Sequence, residues 1–171
     1  VATGSWPQKP DIPGADLAIT SNEAFVLEKL PKRALVVGGG YIAVEFAGIF
    51  HGLGCEVTQI YRGPLFLRGF DDDVRRHLAE QMRAQGIDLR FDLVPHRIEK
   101  TAAGIRATLS DGSVIEADHV LCAAGRHPNS AGLGLEAAGV ELGAFGAVVV
   151  DEYSRTRVPS IHAIGDLTDR V

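Results

Sequence analysis

The stretch that decides the fold reads ALVVGGGYIA and runs from Ala34 to Ala43. Its first four residues are apolar, as is typical of a short strand buried on both faces of a parallel sheet. Three glycines follow directly, and apolar residues recur at helical spacing after Tyr41. We expect this helix to stop at Gly54 and to bury one face made of Ile42, Phe46, Ile49 and Leu53.

The turn between strand and helix has the spacing Gly38-x-Gly40-x-x-Ala43. The first glycine permits the tight turn, the second lets the backbone approach a pyrophosphate, and the small third residue lets the helix pack closely on the strand. Free amides at the helix N-terminus would hold the diphosphate, because the helix dipole favours anions there. The turn therefore predicts a dinucleotide site, with a glycine-rich helix contact as the alternative.

Alternating strands and helices continue outward from this turn. A strand is expected over residues 56–61, a helix capped by Asp71 and ended by Gly86, and a third strand over 88–91. The helix should bury Val74, Leu78 and Met82. The order β-α-β-α-β is half of a doubly wound fold.

A β-meander is predicted next, with strands over 97–100, 105–109 and 113–116 and a hairpin turn over 110–112. An apolar strand over 119–123 follows, and two shorter strands are expected over 148–150 and 161–163. The predicted fold class is α/β: a Rossmann-like parallel sheet with helices and a β-meander, in a three-layer ββα arrangement.

The end of the second strand indicates which dinucleotide binds. NAD sites usually place Asp or Glu there to hold the ribose hydroxyls, whereas this chain has Arg62, with Arg68 shortly after it. Two guanidinium groups can clamp a 2′-phosphate through charge-assisted hydrogen bonds. We predict NADPH as the cofactor, against the alternative that both arginines are solvated surface residues.

Composition excludes several function classes. The net charge is -5 and no basic stretch is present, so no nucleic-acid partner is expected. The longest apolar run, over 34–50, is too short and too broken by Glu45 to span a bilayer. Cys55 and Cys122 form no CxxC or CxxxxC pair and are interpreted as buried core residues of a cytoplasmic protein. The histidines show no metal-ligand spacing, so no metal is expected.

Six motifs in order resemble a known family. They are Ala2-Thr3-Gly4-Ser5, GGGYIAVEFAGIF over 38–50, Tyr61-Arg62-Gly63, Leu67-Arg68-Gly69-Phe70-Asp71, AAGRHPN over 123–129, and Ala163-Ile164-Gly165-Asp166. They span essentially the whole chain and resemble the pyridine nucleotide-disulfide oxidoreductases, in particular the glutathione reductases. Trypanothione reductases are similar over the same motifs.

The resemblance implies roles for single residues. On the NADPH side it adds Gly39, Tyr41, Ile42, Glu45, Ala124, Gly125 and Arg126. Tyr41 would be a lid over the nicotinamide pocket, Glu45 would pair with a lysine near the flavin, and Arg126 would lie near the nicotinamide. On the FAD side, Thr3 and Gly4 would approach the flavin nucleotide and Asp166 would accept a hydrogen bond from the ribityl chain.

The same resemblance implies three parts: a flavin-domain remnant and linker over 1–30, an NADPH-binding domain over 31–145, and the start of a returning flavin-domain segment over 146–171. Within the first part, Ser21 or Asn22 is expected to cap a short helix. The family's flavin GxGxxG and redox CxxxxC motifs do not occur in these residues. The chain is therefore expected to be a piece of a longer enzyme that binds NADPH without turning over.

The implied parent enzyme passes hydride from NADPH to FAD, and the reduced flavin then reduces a protein disulfide that exchanges with glutathione disulfide. It is a homodimer formed through a separate C-terminal domain. The alternatives left open are trypanothione, mercuric or other disulfide-type reductases, and a stand-alone NADP-binding module.

Overall fold

The structure is a computed structural model that describes residues 1–169. Its elements in chain order are β1 (Ser5–Pro7), α1 (Ser21–Ala24), β2 (Arg33–Val37), α2 (Tyr41–Gly52), β3 (Glu56–Ile60), α3 (Asp72–Gln85), β4 (Asp88–Arg90), β5 (Pro95–Thr101), β6 (Gly104–Leu109), β7 (Val114–Ala117), β8 (His119–Cys122) and β9 (Arg126–Pro128). Short 3-10 turns lie at Ala15–Leu17, Ala144–Gly146 and Gly165–Thr168.

The chain divides into two compact units. The sheet unit comprises Gln8–Gly125, and the terminal unit comprises residues 1–7 together with the described residues from 126 onward. These bounds differ from the expected division at residues 30 and 145. The assignment of each part to a cofactor domain stays a prediction, because compactness does not show which cofactor a segment binds.

The sheet unit is built on four parallel strands in the order β4-β3-β2-β8. In this sheet Val37, the last residue of β2, pairs with Ile60 of β3 on one side and with Cys122 of β8 on the other. Ile19 adds one parallel bridge to Leu121 beyond β8. The carboxyl ends of three strands therefore meet at the edge where the Gly38–Gly40 turn begins, which is where α/β sheets bind ligands.

Side chains of β2 alternate between two cores. Ala34 and Val36 pack in the core that contains α2 and α3, whereas Leu35 and Val37 pack in the core that contains the antiparallel meander β5-β6-β7. All four side chains are buried. A strand covered on both faces must be apolar throughout, since successive side chains point to opposite faces. The predicted α/β class and the order of helices, parallel sheet and meander are confirmed.

The buried face of α2 differs from the predicted one. Ala43, Phe46, Ala47 and Phe50 are buried, whereas Ile49 is 47% and Leu53 is 61% exposed. Only Phe46 belongs to both sets, so the predicted face was wrong. The helix is apolar nearly all round, and the row that starts with small Ala43 faces the sheet because small residues let the helix axis come close to the strands.

Helix α3 begins and ends as predicted. The Asp71 carboxylate accepts hydrogen bonds from the backbone N–H groups of Asp73 and Val74, at 2.9 and 3.2 Å. Gly86 ends the helix with a φ of 105°, a left-handed conformation that favours glycine. Met82 is buried, but Val74 is 56% exposed and does not join the core.

Residues 8–30 belong to the sheet unit and contribute buried side chains to it. Ala18 and Thr20 are buried, and the Ile98 N–H donates to the Pro13 carbonyl at 2.9 Å. Thr20, not Ser21 or Asn22, caps α1 in a capping box with Glu23, whose carboxylate accepts from the Thr20 N–H at 2.7 Å. The Thr20 hydrogen bonds also hold the pKa of Glu23 below its ordinary value.

The terminal unit contains a ladder that the sequence pattern missed. Strand β1 pairs antiparallel with β9, placing Trp6 opposite His127. A separate small core holds Leu135, Val140, Val148, Ala163 and Leu167. The strands expected over 148–150 and 161–163 do not form and are reduced to single bridges, Leu142 with Val148 and Arg155 with His162.

Candidate dinucleotide site

Gly38 is required by the fold of the turn itself. Its φ is 146°, and a Cβ there would collide with the Ala123 carbonyl group that follows β8. The Gly38 N–H donates to the Ile60 carbonyl at 3.0 Å, and the Gly38 carbonyl accepts from the buried Gln59 amide at 3.0 Å. Both the N–H and the carbonyl of Gly38 are therefore hydrogen-bonded to residues of β3, and these bonds fix where the turn starts.

Gly39 makes room for an aromatic ring. A Cβ on Gly39 would overlap the Tyr61 ring, and a Cβ on Gly63 would lie 2.9 Å from the same ring. The residue after β3 thus folds back over the turn, and two glycines accommodate it. This contact, which the sequence pattern did not indicate, links the glycine turn to the segment that carries Arg62.

Gly40 differs from Gly38 and Gly39, because no neighbouring protein atom requires a glycine at this position. Its φ of -83° and ψ of 175° suit any residue, and a Cβ there would meet no protein atom within 4 Å. It is also the N-cap of α2 and provides no side-chain hydrogen bond. The N–H groups of Tyr41, Ile42 and Ala43 have no acceptor within the helix, as at any helix start, and Gly40 supplies no side-chain acceptor for them. Bare backbone with open space in front can receive an anionic group.

Ala43 is fully buried behind the turn, where a Cβ on Gly38 would lie 3.2 Å from its methyl group. A larger side chain at this position would push the helix away from the strand. Ala43 therefore acts through packing, as the spacing of the turn predicts.

Arg62 and Arg68 lie on the segment over residues 61–70, which we call the phosphate loop. Both are exposed, and within residues 1–169 neither guanidinium has a hydrogen-bond or ion-pair partner. The first acidic residue after β3 is Asp71, whose carboxylate is already used as the α3 cap. The loop therefore offers two unpaired positive charges and no carboxylate for a ribose.

The phosphate loop is held at both ends. At its start the Tyr61 N–H donates to the Arg90 carbonyl at 3.0 Å. Near its end Phe66 is fully buried, and the Leu67 N–H donates to the Gly39 carbonyl at 2.6 Å. Leu67 has a φ of 55°, which is unusual for a bulky residue and persists only where the surroundings enforce it.

The remaining residues that the resemblance assigns to NADPH in the sheet unit lie on α2 or directly after β8. Tyr41 and Glu45 are exposed on α2, and Ile42 is half-buried. Ala124 and Gly125 follow β8, and the Ala123 N–H before them donates to the Val37 carbonyl at 2.8 Å. Gly125 has a φ of 156° and open space at its Cβ position.

A polar group in the terminal unit joins Ser5, Arg126 and Asp166. The Arg126 Nε donates to Ser5 Oγ at 2.6 Å, and Ser5 Oγ donates to Asp166 Oδ2 at 2.6 Å. Thr3 Oγ1 donates to the Asn129 carbonyl at 2.6 Å, and Gly4 has a φ of 69° with open space at its Cβ position.

The family model described as pyridine nucleotide-disulphide oxidoreductase matches residues 1–171. The chain belongs to this family. A glutathione reductase of Burkholderia cepacia is 48% identical over 100% of the chain and 38% of its own length. A trypanothione reductase of Leishmania donovani is 52% identical over 100% of the chain and 35% of its own length.

Solved structures give the same family placement. The HOCl-induced flavoprotein disulfide reductase RclA from Escherichia coli matches 99% of the chain and 39% of that protein, with a TM-score of 0.92 and 34% identity. The chain thus spans well under half the length of the disulfide oxidoreductases that it matches.

Arg126 is bonded to residues of the terminal unit. Its guanidinium donates to Ser5 and lies 3.7 Å from Asp166, a residue that the resemblance assigns to the flavin side. The structure therefore brings Thr3, Gly4, Asp166 and Arg126 together in one unit. A direct contact of Arg126 with the nucleotide stays a prediction.

The cysteines of this disulfide oxidoreductase chain are core residues. Cys55 and Cys122 are both buried free thiols, and burial raises the pKa of each, to about 11 for Cys122. In the part of the chain that the structure covers, no group of three or more His, Cys, Asp or Glu could hold a metal ion. Among the described helices none has the length and apolar character needed to cross a bilayer.

Proposed function

We propose that this chain is the NADPH-binding part, with adjoining FAD-binding segments, of a flavoprotein that reduces glutathione disulfide. The observation that carries the proposal is the combination of an open Gly40 with two unpaired arginines on an anchored loop. Membership of the disulfide oxidoreductase family and 48% identity to a glutathione reductase support it. On its own the chain is expected to bind NADPH without catalysing the full reaction.

The dinucleotide fits the residues in two places. The pyrophosphate would lie against Gly40 and the free N–H groups at the start of α2, since helix N-termini favour anions and a glycine lets the phosphate come close. The 2′-phosphate would be held by Arg62 and Arg68, whose forked donors match a phosphate. NADH lacks this phosphate, so it would leave both guanidinium groups in water.

We assign Tyr41, Ile42, Glu45, Ala124 and Gly125 to the nicotinamide side of the bound dinucleotide. Exposed Tyr41 at the first turn of α2 would cover the nicotinamide pocket, and Gly125 would leave its backbone accessible. When bound, NADPH supplies hydride to the flavin, and the protein's part is positioning and electrostatics.

On the flavin side we assign Thr3, Gly4 and Asp166 to FAD. The assignment of Gly4 is supported by its left-handed backbone conformation and by the open space at its Cβ position, where a flavin nucleotide could approach the backbone. Asp166 Oδ2 is bonded to Ser5, and its carboxylate is about half exposed, so it keeps acceptor capacity for a ribityl hydroxyl.

For the whole enzyme we propose glutathione disulfide as substrate, a homodimer as assembly and the cytoplasm as location. The parent holoenzyme, assayed with glutathione disulfide and with trypanothione disulfide, is expected to prefer the first. A clear preference for trypanothione disulfide would overturn this part of the proposal and leave the NADPH site untouched.

The cofactor assignment is tested by calorimetric titration of the chain with NADPH and NADH. We expect NADPH to bind at least about 100-fold more tightly, because two charge-assisted contacts worth about 1.5 kcal/mol each are involved. Each of Arg62→Leu and Arg68→Leu should reduce this preference about tenfold, with NADH affinity unchanged. Equal affinity of the unaltered chain for both nucleotides would rule out the assignment.

Arg97→Leu is a suitable control. Arg97 is an exposed arginine on β5, far in sequence from the phosphate loop, and it pairs with Glu99 at 2.8 Å. It removes the same charge from the sheet unit. If it lowered NADPH affinity as much as Arg62→Leu does, overall charge and not a specific contact would explain the preference.

A further inference from the structure

Arg75 on α3 forms hydrogen bonds through its guanidinium that its sequence context did not indicate. Its Nε donates to the Phe66 carbonyl at 2.7 Å, and its Nη2 donates to the Leu65 carbonyl at 2.8 Å. Its Nη1 donates to Asp72 Oδ1 at 2.5 Å. Its side chain is only 15% exposed, compared with 60% for its neighbour Arg76. All three donor nitrogens of this guanidinium are therefore used.

The two carbonyls that Arg75 holds belong to the phosphate loop, directly before Leu67 and Arg68. Leu67 is in a left-handed conformation that is costly for a bulky residue, so this part of the loop needs external restraint. Besides the burial of Phe66, two sets of hydrogen bonds restrain it: the Leu67 N–H donates to the Gly39 carbonyl, and the Arg75 guanidinium donates to the carbonyls of residues 65 and 66. Arg68 follows at once and has no partner of its own in the described chain.

We infer that Arg75 is a positioning residue for NADPH selectivity: its guanidinium clamps the phosphate loop so that Arg68 is held ready for the 2′-phosphate. The inference rests on the proposed function. With the clamp in place, binding does not have to order the loop, and preorganised charges bind more tightly for that reason. Three of the five N–H donors of Arg75 are already engaged and its side chain is only 15% exposed, so we assign it to the loop and not to the phosphate.

The glycine turn does not depend on this clamp. Gly38 is bonded to Ile60 and Gln59, and the Gly39 position is filled by the Tyr61 ring. Loss of the Arg75 fork should therefore loosen the end of the phosphate loop and leave the pyrophosphate position intact. The expected signature is a selective loss of NADPH affinity with NADH affinity retained.

The experiment compares Arg75→Met with Arg76→Met by calorimetric titration with NADPH, NADH, 2′,5′-ADP and 5′-AMP. Both variants remove one charge from the same helix, and Arg76 only pairs with Asp73 at 3.3 Å on the surface. We expect Arg75→Met to weaken NADPH and 2′,5′-ADP about tenfold and NADH and 5′-AMP less than about twofold, while Arg76→Met changes all four by less than about twofold.

Two results would overturn the inference: Arg75→Met behaving like Arg76→Met, or Arg75→Met weakening NADH as much as NADPH. If Arg75→Met shows no cooperative melting transition, Arg75→Lys decides instead. Lysine keeps the charge and the stem but lacks the planar fork, so we expect a selective loss of NADPH affinity of about threefold. Unchanged selectivity in Arg75→Lys would then refute the clamp. Lack of NADPH preference in the unaltered chain would instead refute the proposed function.

Discussion

Gly38 and Gly40 stand two residues apart, and replacing each by alanine separates a glycine needed by the fold from one needed by the ligand. In Gly40→Ala the new methyl group meets no protein atom within 4 Å, and the backbone angles suit alanine. Alanine is a poorer N-cap than glycine, by about 0.5–1 kcal/mol. It also restricts the unfolded chain, which stabilises by about 0.4–1 kcal/mol. The two effects offset each other, so the free energy of unfolding should change by less than about 1 kcal/mol.

Gly38→Ala should behave in the opposite way. Its φ of 146° is unfavourable for alanine, and its methyl group would collide with the Ala123 carbonyl, which is backbone and cannot swing aside. Strain of this kind together with overpacking costs about 2–4 kcal/mol. Thermal melting followed by circular dichroism measures both variants against the unaltered chain.

The effect of Gly40→Ala on NADPH affinity should be large although its effect on the free energy of unfolding is small. The methyl group of Gly40→Ala occupies the space in front of the α2 N-terminus, so we expect NADPH affinity to fall about 10- to 100-fold through lost charge-assisted hydrogen bonds. Calorimetric titration of the folded variant measures this. If Gly40→Ala bound NADPH as tightly as the unaltered chain, or unfolded like Gly38→Ala, the reasoning about Gly40 would be refuted.

Two further predictions concern the sheet unit. The Asp118 carboxylate accepts hydrogen bonds from the Arg33 guanidinium and from the Arg33 and Lys32 N–H groups, all at 2.9 Å, which holds its pKa below the ordinary value. A depressed folded-state pKa stabilises the fold above the unfolded pKa, near 4, and this contribution is lost as the pH falls through the folded pKa. Asp118→Asn should therefore lower the free energy of unfolding by about 1 kcal/mol at pH 7 and by progressively less below about pH 4. Urea titrations at pH 7 and at about pH 3 measure this difference, and an equal loss of stability at the two pH values would contradict the prediction. Cys55 and Cys122 should resist iodoacetamide at pH 7.5 until urea unfolds the chain, because both thiols are buried with raised pKa values; mass spectrometry showing rapid labelling of the folded chain would contradict that.

The parts of the fold predicted correctly are those whose cause is local. The Gly38–Gly40 turn, the Asp71 cap, the Gly86 end of α3 and the hairpin of the meander all follow from residue types at fixed short spacing. The buried face of α2 was predicted wrongly because the helix is apolar on several sides, so periodicity alone could not choose between two overlapping rows. The α1 cap could have been found, since Thr20 and Glu23 have capping-box spacing.

Three other missed features depend on contacts between segments that pack against one another in the folded chain. The β1–β9 ladder joins segments more than a hundred residues apart, and three residues per strand leave no periodicity to detect. Arg75 looked like any charged residue on an exposed helix, because its role comes from loop carbonyls that fold onto it. The Tyr61 ring over Gly39 is a further case, since the sequence predicts the glycine but not the side chain that needs it.

A crystal structure of the chain grown with NADP⁺ would locate the nucleotide directly. We expect the 2′-phosphate within hydrogen-bond distance of the guanidinium groups of Arg62 and Arg68, and the pyrophosphate against the backbone of Gly40. A well-defined nucleotide whose 2′-phosphate faces solvent, with both arginine side chains turned away from the adenosine, would contradict it.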